Sequence, residues 1–396
     1  MDMNQKRALT ELALSGAERL LPRQLDLLQR LCALDSGTGN EAGNEAVIEQ
    51  LLLVLNELGA SVERVQEPGY GTHLIARLRP QGQPTRGRVL LAAHLDTVFA
   101  SGLAAQHPFR IEGDWAHGLG AGDCKSGVLI ALFGALLLKE AGTLPPWELT
   151  FLFTCDEEIG SPSGSRIYAR EARGADYALV FEGARKSGGL TPFITSRKGV
   201  ILGSIEITGR EAHAGKDYLS GRSAVLELAH QIIRLYSFND YERGIFFNVA
   251  PISGGRPNGI VAGEARGEFC CAGIPTNADF RWISEKLDAM AQQMTVEGCH
   301  VQVRYHTLFP AMEPCEANHR AYTLVEEPAR LLGLAPVEQG DPSATDAAYL
   351  STCGVPTVDA LGALAEGIHT IDEKVSISSI RQRTALCALI LGLLPA

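Results

Sequence analysis

Three short runs of almost unbroken apolar residues, RVLLAA at 88–93, ELTFLFT at 148–154 and YALVF at 177–181, constrain this chain more than any other feature. Each reads as a β-strand buried on both faces, because a strand with one wet face alternates apolar and polar residues. Helical runs separate them. Ser126–Lys139 is closed by Gly142, and Ser163–Ala172 lies between the second and third strands. Upstream, Leu20–Leu34 and Asn44–Leu58 carry apolar residues at helical spacing, and Gly59 stops the second of them. Ser61–Val65 and His73–Leu78 are β-rich. Strands alternating with helices in this way predict an α/β fold with a mostly parallel, doubly wound sheet.

The texture changes after Glu182. Gly183–Pro192 is polar and glycine-rich, and from there the predicted order is strand 200–208, helix 220–236, strand 245–251, strand 262–271, helix 277–294, strand 300–305. A β-α-β-β-α-β order is that of a ferredoxin-like α+β sandwich. The α/β texture then returns with helix 318–333, strand 357–361 and helix 376–394. The reading is one catalytic domain, residues 1–186 and 307–396, interrupted by an inserted domain at 187–306.

A formal net charge of −11, with both signs mixed along the chain, argues against nucleic acid as a partner. Nine cysteines, an odd number with no C-x-x-C pair, fit reduced thiols in a cytoplasmic protein. The N-terminus shows no secretion signal, and no stretch is read as approaching the roughly 18 apolar residues of a membrane span.

Chemistry gathers at the strand ends. The first apolar strand runs into His94-Leu95-Asp96, the second into Asp156-Glu157-Glu158, the third into Glu182. In an open α/β sheet the ligand crevice lies at the carboxyl ends of the strands, so all three point to one place. The loop GLGAGDCKSG sets Asp123 at the start of the Ser126 helix, and His369 follows the strand at 357–361. Two imidazoles among several carboxylates suit zinc. Asp96, two residues after His94, is placed to accept the free imidazole N–H and fix the ring. Glu157 and Glu158 must diverge if their segment is extended, leaving one to bind metal and the other free as a base. Taken singly these signals are weak: H-x-D pairs are common and a Glu-Glu pair is most often a solvated turn. Cys124 has no histidine placed beside it by any motif and reads as a packed thiol. The 118–122 loop lacks the phosphate-binding patterns. Five ligand candidates in order, each at a strand end or its loop, turn the balance toward a metal site.

LDSGTGNEAGNEAV, AHLDTV, GDCKSG, TCDEEIGS, LVFEGA, ITGREAHAG, ISGGRPNGIV, SATDAAYL and GIHTIDEKV together resemble the co-catalytic zinc hydrolases. That family includes glutamate carboxypeptidase, aminoacylase, acetylornithine deacetylase and succinyl-diaminopimelate desuccinylase, and the N-terminal segment is most similar to the glutamate carboxypeptidase branch. The resemblance implies two zinc ions, with cobalt or manganese also suited. Asp123 would bridge them, His94 and Glu182 completing one site and Glu158 and His369 the other. It implies Glu157 as general base, Asp96 as the histidine-orienting carboxylate, and a cis peptide bond at Asp123–Cys124. It further implies a homodimer formed through the inserted domain, with His213 reaching the oxyanion of a neighbouring subunit's substrate and Asn258 contacting substrate. The implied reaction is hydrolysis of a peptide or N-acyl amide bond in a small amino-acid-derived substrate, carboxypeptidase-like. The alternatives are an N-acyl or N-carbamoyl amino-acid deacylase, a dipeptidase, or a metal-dependent binding protein without turnover. One position departs from the family: where carboxypeptidase-like members carry a carboxylate-gripping arginine, this chain has Cys271. Arg266 and Arg281 are the candidate replacements, or the substrate has no free α-carboxylate there.

Overall fold

The three apolar runs become neighbours in the middle of a sheet, where helices packed on both sides can cover their two faces. The computed structural model describes residues 1–396 apart from Gln81, Gln83, Lys186, Pro257, Asn258 and Ala396. It forms two compact units, one of Met1–Ser196, Pro314–Gly340 and Thr345–Ala396, the other of Arg197–Glu313 with Asp341–Ala344.

In the first unit a six-stranded sheet has the spatial order Ser61–Glu67, Gly71–Leu78, Glu148–Thr154, Arg88–His94, Tyr177–Val180, Thr357–Val358. The first two pairings are antiparallel and the other three parallel, so the sheet is mostly parallel. His94 stands opposite Thr154, and Ala92 opposite Val180, which brings the ends of the three apolar strands level. Helix Ser126–Glu140 is buried continuously from Ser126 to Leu138. It packs closely with its neighbours: a Cβ on Gly134 would stand 2.6 Å from the Cys387 sulfur of helix Ile377–Gly392. Apolar on every side, this segment corrects the sequence reading on membrane spans. Ala121–Glu140 is long and apolar enough to cross a membrane, yet 94% of its apolar window is buried inside the protein, as in a core helix.

The N-terminal helix also extends beyond expectation, running from Met3 to Cys32. Asp2 and Gln5 form a capping box at its start. Leu9, Ala13, Ala17 and Leu20 are buried at helical spacing, although charged residues interleave them. Four short strands make a second small sheet in the order Ala365–Glu366, Lys374–Ser376, Trp115–His117, Arg110–Glu112. Strands of two or three residues carry no readable alternation, and none was expected.

The second unit runs strand Gly199–Thr208, helix Ala224–Tyr236, strands Phe246–Gly254 and Glu264–Ile274, helix Asn277–Ala291, strand His300–Phe309. Its antiparallel sheet has the order 246–254, 264–274, 199–208, 300–309, that of a ferredoxin-like sandwich. Along strand Glu264–Ile274, Ala265, Phe269 and Cys271 point into a core with Ile205, Leu228, Ile283 and Leu287. Glu264, Arg266 and Glu268 point outward. Cys271 therefore packs, its thiol pushed up to about 12 by burial. Arg266 pairs with Glu268 at 3.1 Å on the open face, and Arg281 lies exposed in the helix Asn277–Ala291.

Candidate metal centre

His94 ends the central strand and is fully buried. Its Nε2 lies 2.9 Å from Asp123 Oδ1 and 3.8 Å from Glu182 Oε1. His369 meets the same carboxylate through its other oxygen: Nε2 is 3.1 Å from Asp123 Oδ2 and 3.2 Å from Glu158 Oε2. Each oxygen of Asp123 thus faces a different imidazole, one accompanied by Glu182 and the other by Glu158. The donor atoms of His94, Asp123 and Glu158 lie within 4.8 Å of one another, as do those of His94, Glu182 and Cys124. Cys124 differs in chemistry. Its thiol donates to the Phe181 carbonyl at 3.1 Å, and burial followed by Glu182 holds its pKa well above the ordinary value. A thiol kept protonated is a poor metal ligand, which agrees with a packed side chain.

The backbone explains how these side chains converge. Asp123 sits in a tight turn before helix Ser126–Glu140, and the Asp123–Cys124 peptide is cis. Gly127 lets that helix begin against the strand end, since a Cβ there would stand 2.0 Å from the Phe181 carbonyl oxygen. Glu157 and Glu158 lie in a 3₁₀ turn, Glu157–Ile159, rather than the extended segment expected. With three residues per turn their side chains still diverge by about 120°. Glu158 reaches His369, whereas Glu157 is buried and belongs to neither group of donor atoms. His369 adopts φ 64° in a turn closed by Thr370 N–H donating to Gly367 O at 3.1 Å.

Asp96 ties the parts together. The Nδ1 of His94 is 3.0 Å from the Asp96 carbonyl oxygen and 3.4 Å from its Oδ1, so the nearer acceptor is main-chain. Both favour a proton on Nδ1, which leaves Nε2, facing Asp123 and Glu182, as the ring nitrogen available to a metal. The Asp96 carboxylate also accepts the amides of Glu157 at 3.1 Å and Glu158 at 3.2 Å and the Thr38 hydroxyl at 2.7 Å. Burial opposes a charge on His94, yet Glu182, Asp123 and Asp96 hold its pKa well above the usual imidazole range. Asp123 and Glu158 raise His369 to about 10. Burial would lift Asp123, but His369 and His94 hold it below the carboxylate range. Burial drives Glu157 well above the ordinary value and raises Glu158. Asp96, Asp123, Glu158 and Glu182 outnumber the two imidazoles, an excess of negative charge of the kind that bound divalent cations neutralise.

Residues 90–392 match the peptidase family M20/M25/M40, a span that takes in His94, Asp123, Glu158, Glu182 and His369. The chain belongs to this family. Carboxypeptidase G2 from Pseudomonas sp. (strain RS-16) is 30% identical over 374 residues, covering 93% of this chain and 88% of that protein. Acetylornithine deacetylase from Vibrio campbellii (strain ATCC BAA-1116) is 31% identical over 222 residues, covering 54% of this chain and 55% of that one. The M20 family metallo-carboxypeptidase Sso-CP2 from Sulfolobus solfataricus shares the fold, with a TM-score of 0.77 at 17% identity over 93% of this chain and 98% of that chain. As an M20/M25/M40 chain it is a hydrolase.

Two further residues of this M20 chain were candidates from its sequence. His213 is an exposed residue of the second unit, and its Nδ1 accepts the amides of Gly215 at 3.1 Å and Lys216 at 3.2 Å. Asn258 lies outside the described residues. Among the buried acids to which the sequence assigned no role are Asp346 and Glu373. Asp346 accepts from Tyr168 OH at 2.6 Å, Thr154 Oγ1 at 3.0 Å and Ser161 Oγ, bracing the strand end that leads into the acidic turn. Burial lifts it to about 7. Glu373 accepts amides from the Asp123 loop. Both stand inside quoted motifs, SATDAAYL and GIHTIDEKV, but neither carries a spacing signal of its own.

Proposed function

We propose that the chain is a dinuclear zinc hydrolase of a peptide or N-acyl amide bond in a small amino-acid-derived substrate. His94, Asp123 and Glu182 hold one zinc; Asp123, Glu158 and His369 hold the other. The observation that carries this reading is the pair of contacts at Asp123, one imidazole at 2.9 Å from one oxygen and a second at 3.1 Å from the other. The donors fit the metal: imidazole nitrogens and carboxylate oxygens are zinc ligands, with cobalt and manganese acceptable to the same set. When bound, a zinc pair supplies Lewis acidity and lowers the pKa of water toward 7.

The chain's own residues supply the rest. Glu157, buried and outside both donor groups, takes the proton of the attacking water and passes it to the leaving amine nitrogen. Asp96 holds the His94 ring and the acidic turn in one geometry. His213 uses its Nδ1 as an acceptor, so the ring proton sits on Nε2, a donor suited to the substrate oxygen as it turns anionic; such a donor contributes about 3–4 kcal/mol. Asn258 is assigned to substrate binding. The large apolar side chains Val98, Ile159 and Ile368, exposed beside the ligand loops, suit a substrate with an apolar group next to the scissile bond.

His213 acts in the site of a second copy, within a homodimer joined through the inserted domain. Supporting this, Phe246–Gly254 is an edge strand with Phe246 and Ile252 exposed, and helix Ala224–Tyr236 exposes Val225, Leu226 and Ile233. An edge strand beside apolar surface is what a two-fold partner covers. The carboxypeptidase and deacetylase relatives support both carboxypeptidase and deacylase substrates. The test is a panel of dipeptides, N-acyl and N-carbamoyl amino acids, run with zinc-loaded and chelator-treated protein. Turnover lost on chelation and restored by zinc is expected; two bound metals with no turnover across the panel would favour a binding protein.

A further inference from the structure

We infer that Glu373 is a positioning residue that sets the Asp123 carboxylate for two metals at once, an inference that rests on the two-metal reading above. Glu373 is 1% exposed and stands four residues after His369. Its Oε1 accepts Gly122 N–H at 2.8 Å and Asp123 N–H at 3.0 Å, and its Oε2 accepts Gly120 N–H at 2.9 Å. Its carbonyl oxygen accepts Gly118 N–H at 3.1 Å. Four amides of the 118–123 loop therefore end on one residue.

That loop has little regular structure to hold it. Asp123 has φ −126° and ψ 89°, outside the helical region, although a helix starts three residues later. Loop amides without regular partners need another acceptor when buried, and a carboxylate taking three of them replaces a ladder of main-chain bonds. The loop can lie this close because residue 122 is glycine: a Cβ there would stand 2.4 Å from the Ala365 Cβ.

The consequence is a fixed distance between two parts of the site. His369 and Glu373 share one short turn, so the turn that presents an imidazole to Asp123 Oδ2 also grips the Asp123 backbone. A bridging carboxylate has to satisfy ions on both oxygens, and placement errors beyond about 0.5 Å are costly at such sites. Glu373 touches no reacting atom and acts through Asp123. Because Asp123 serves both metals, loosening it weakens both sites together, whereas a defect confined to the His369 turn weakens one.

The test uses full-length Glu373→Gln and Glu373→Asp proteins. Zinc affinity at each site is measured by competition with a chromophoric chelator, and melting temperature is recorded with and without zinc. Gln has the same shape but turns an amide N–H₂ toward backbone N–H groups. Glu373→Gln is expected to lose about 10–100-fold in affinity at both sites, the range seen when a group supporting a metal ligand is removed. Glu373→Asp keeps the anion one methylene short and is expected to recover part of that loss. A merely structural role would lower the melting temperature equally with and without zinc and leave affinity unchanged. Wild-type affinity at both sites in a folded Glu373→Gln, or loss at one site only, overturns the inference. If Glu373→Gln does not fold, wild-type affinity in Glu373→Asp overturns it. Failure of the unmodified protein to bind two zincs is a different result, which refutes the two-metal reading itself.

Discussion

Replacing Glu157 by glutamine separates proton transfer from metal binding. Glu157 is buried, and its amide donates to Asp96 Oδ1 at 3.1 Å through the main chain, a contact that survives the substitution. Glutamine matches the volume of the acid, so the turn that carries Glu158 to His369 at 3.2 Å stays in place. Glu157 is not one of the five proposed ligands, so metal content should not change. What is removed is the group that carries the proton between water and leaving amine. General acid–base catalysis contributes about 10²–10⁴-fold. At about 1.36 kcal/mol per tenfold that is roughly 2.7–5.4 kcal/mol of barrier. Glu157→Gln should therefore keep two metals per chain by mass spectrometry after dialysis and lose at least about a hundredfold in kcat, with KM little changed. A variant that keeps more than about a tenth of wild-type kcat, or that loses a metal, refutes the assignment.

Mixing inactive Glu157→Ala with inactive His213→Ala subunits should restore roughly a quarter of wild-type activity, because random pairing gives about half heterodimers, each with one complete site. Heterodimers that form but stay at background would place His213 in its own subunit's reaction or in none. Away from the site, Asp114 accepts Ser378 N–H at 2.9 Å and the Ser376 and Ser378 hydroxyls, each at 2.7 Å, at the start of the closing helix. Burial raises its pKa, but the hydrogen bonds from Ser376 and Ser378 together outweigh burial and hold the carboxyl below its ordinary value. A depressed carboxylate contributes stability above its unfolded pKa and loses it as pH falls through the folded value. Asp114→Ala should thus melt below wild type at pH 7, and the gap should close in melting curves taken below about pH 4; a gap constant with pH would contradict the role.

The strand ends were the most legible part of this chain. RVLLAA, ELTFLFT and YALVF are buried on both faces, so each apolar run stops where the polar site begins, at His94, at the acidic turn and at Glu182. The inserted sandwich was readable for the same reason, since one wet sheet face leaves alternation along Glu264–Ile274. What escaped reading has physical causes. Glu373 binds backbone amides some 250 residues away, and main-chain donors have no residue type to recognise. The strands at 365–366 and 374–376 have two and three residues, too few for a repeated alternation to show. The first two-thirds of helix Met3–Cys32 interleaves charges with a narrow buried stripe, and Pro22 interrupts the pattern. The acidic turn looked extended because two adjacent glutamates diverge equally well in a 3₁₀ turn.

In the proposed centre Asp123 joins two metals. Anomalous diffraction from crystals of the zinc-loaded protein, collected above and below the zinc edge, tests it most directly. Two peaks are expected about 3.5–4 Å apart, one bonded to His94, Glu182 and Asp123 Oδ1, the other to Glu158, His369 and Asp123 Oδ2, at about 2.0–2.2 Å. A single peak, or two peaks that do not share Asp123, would contradict it.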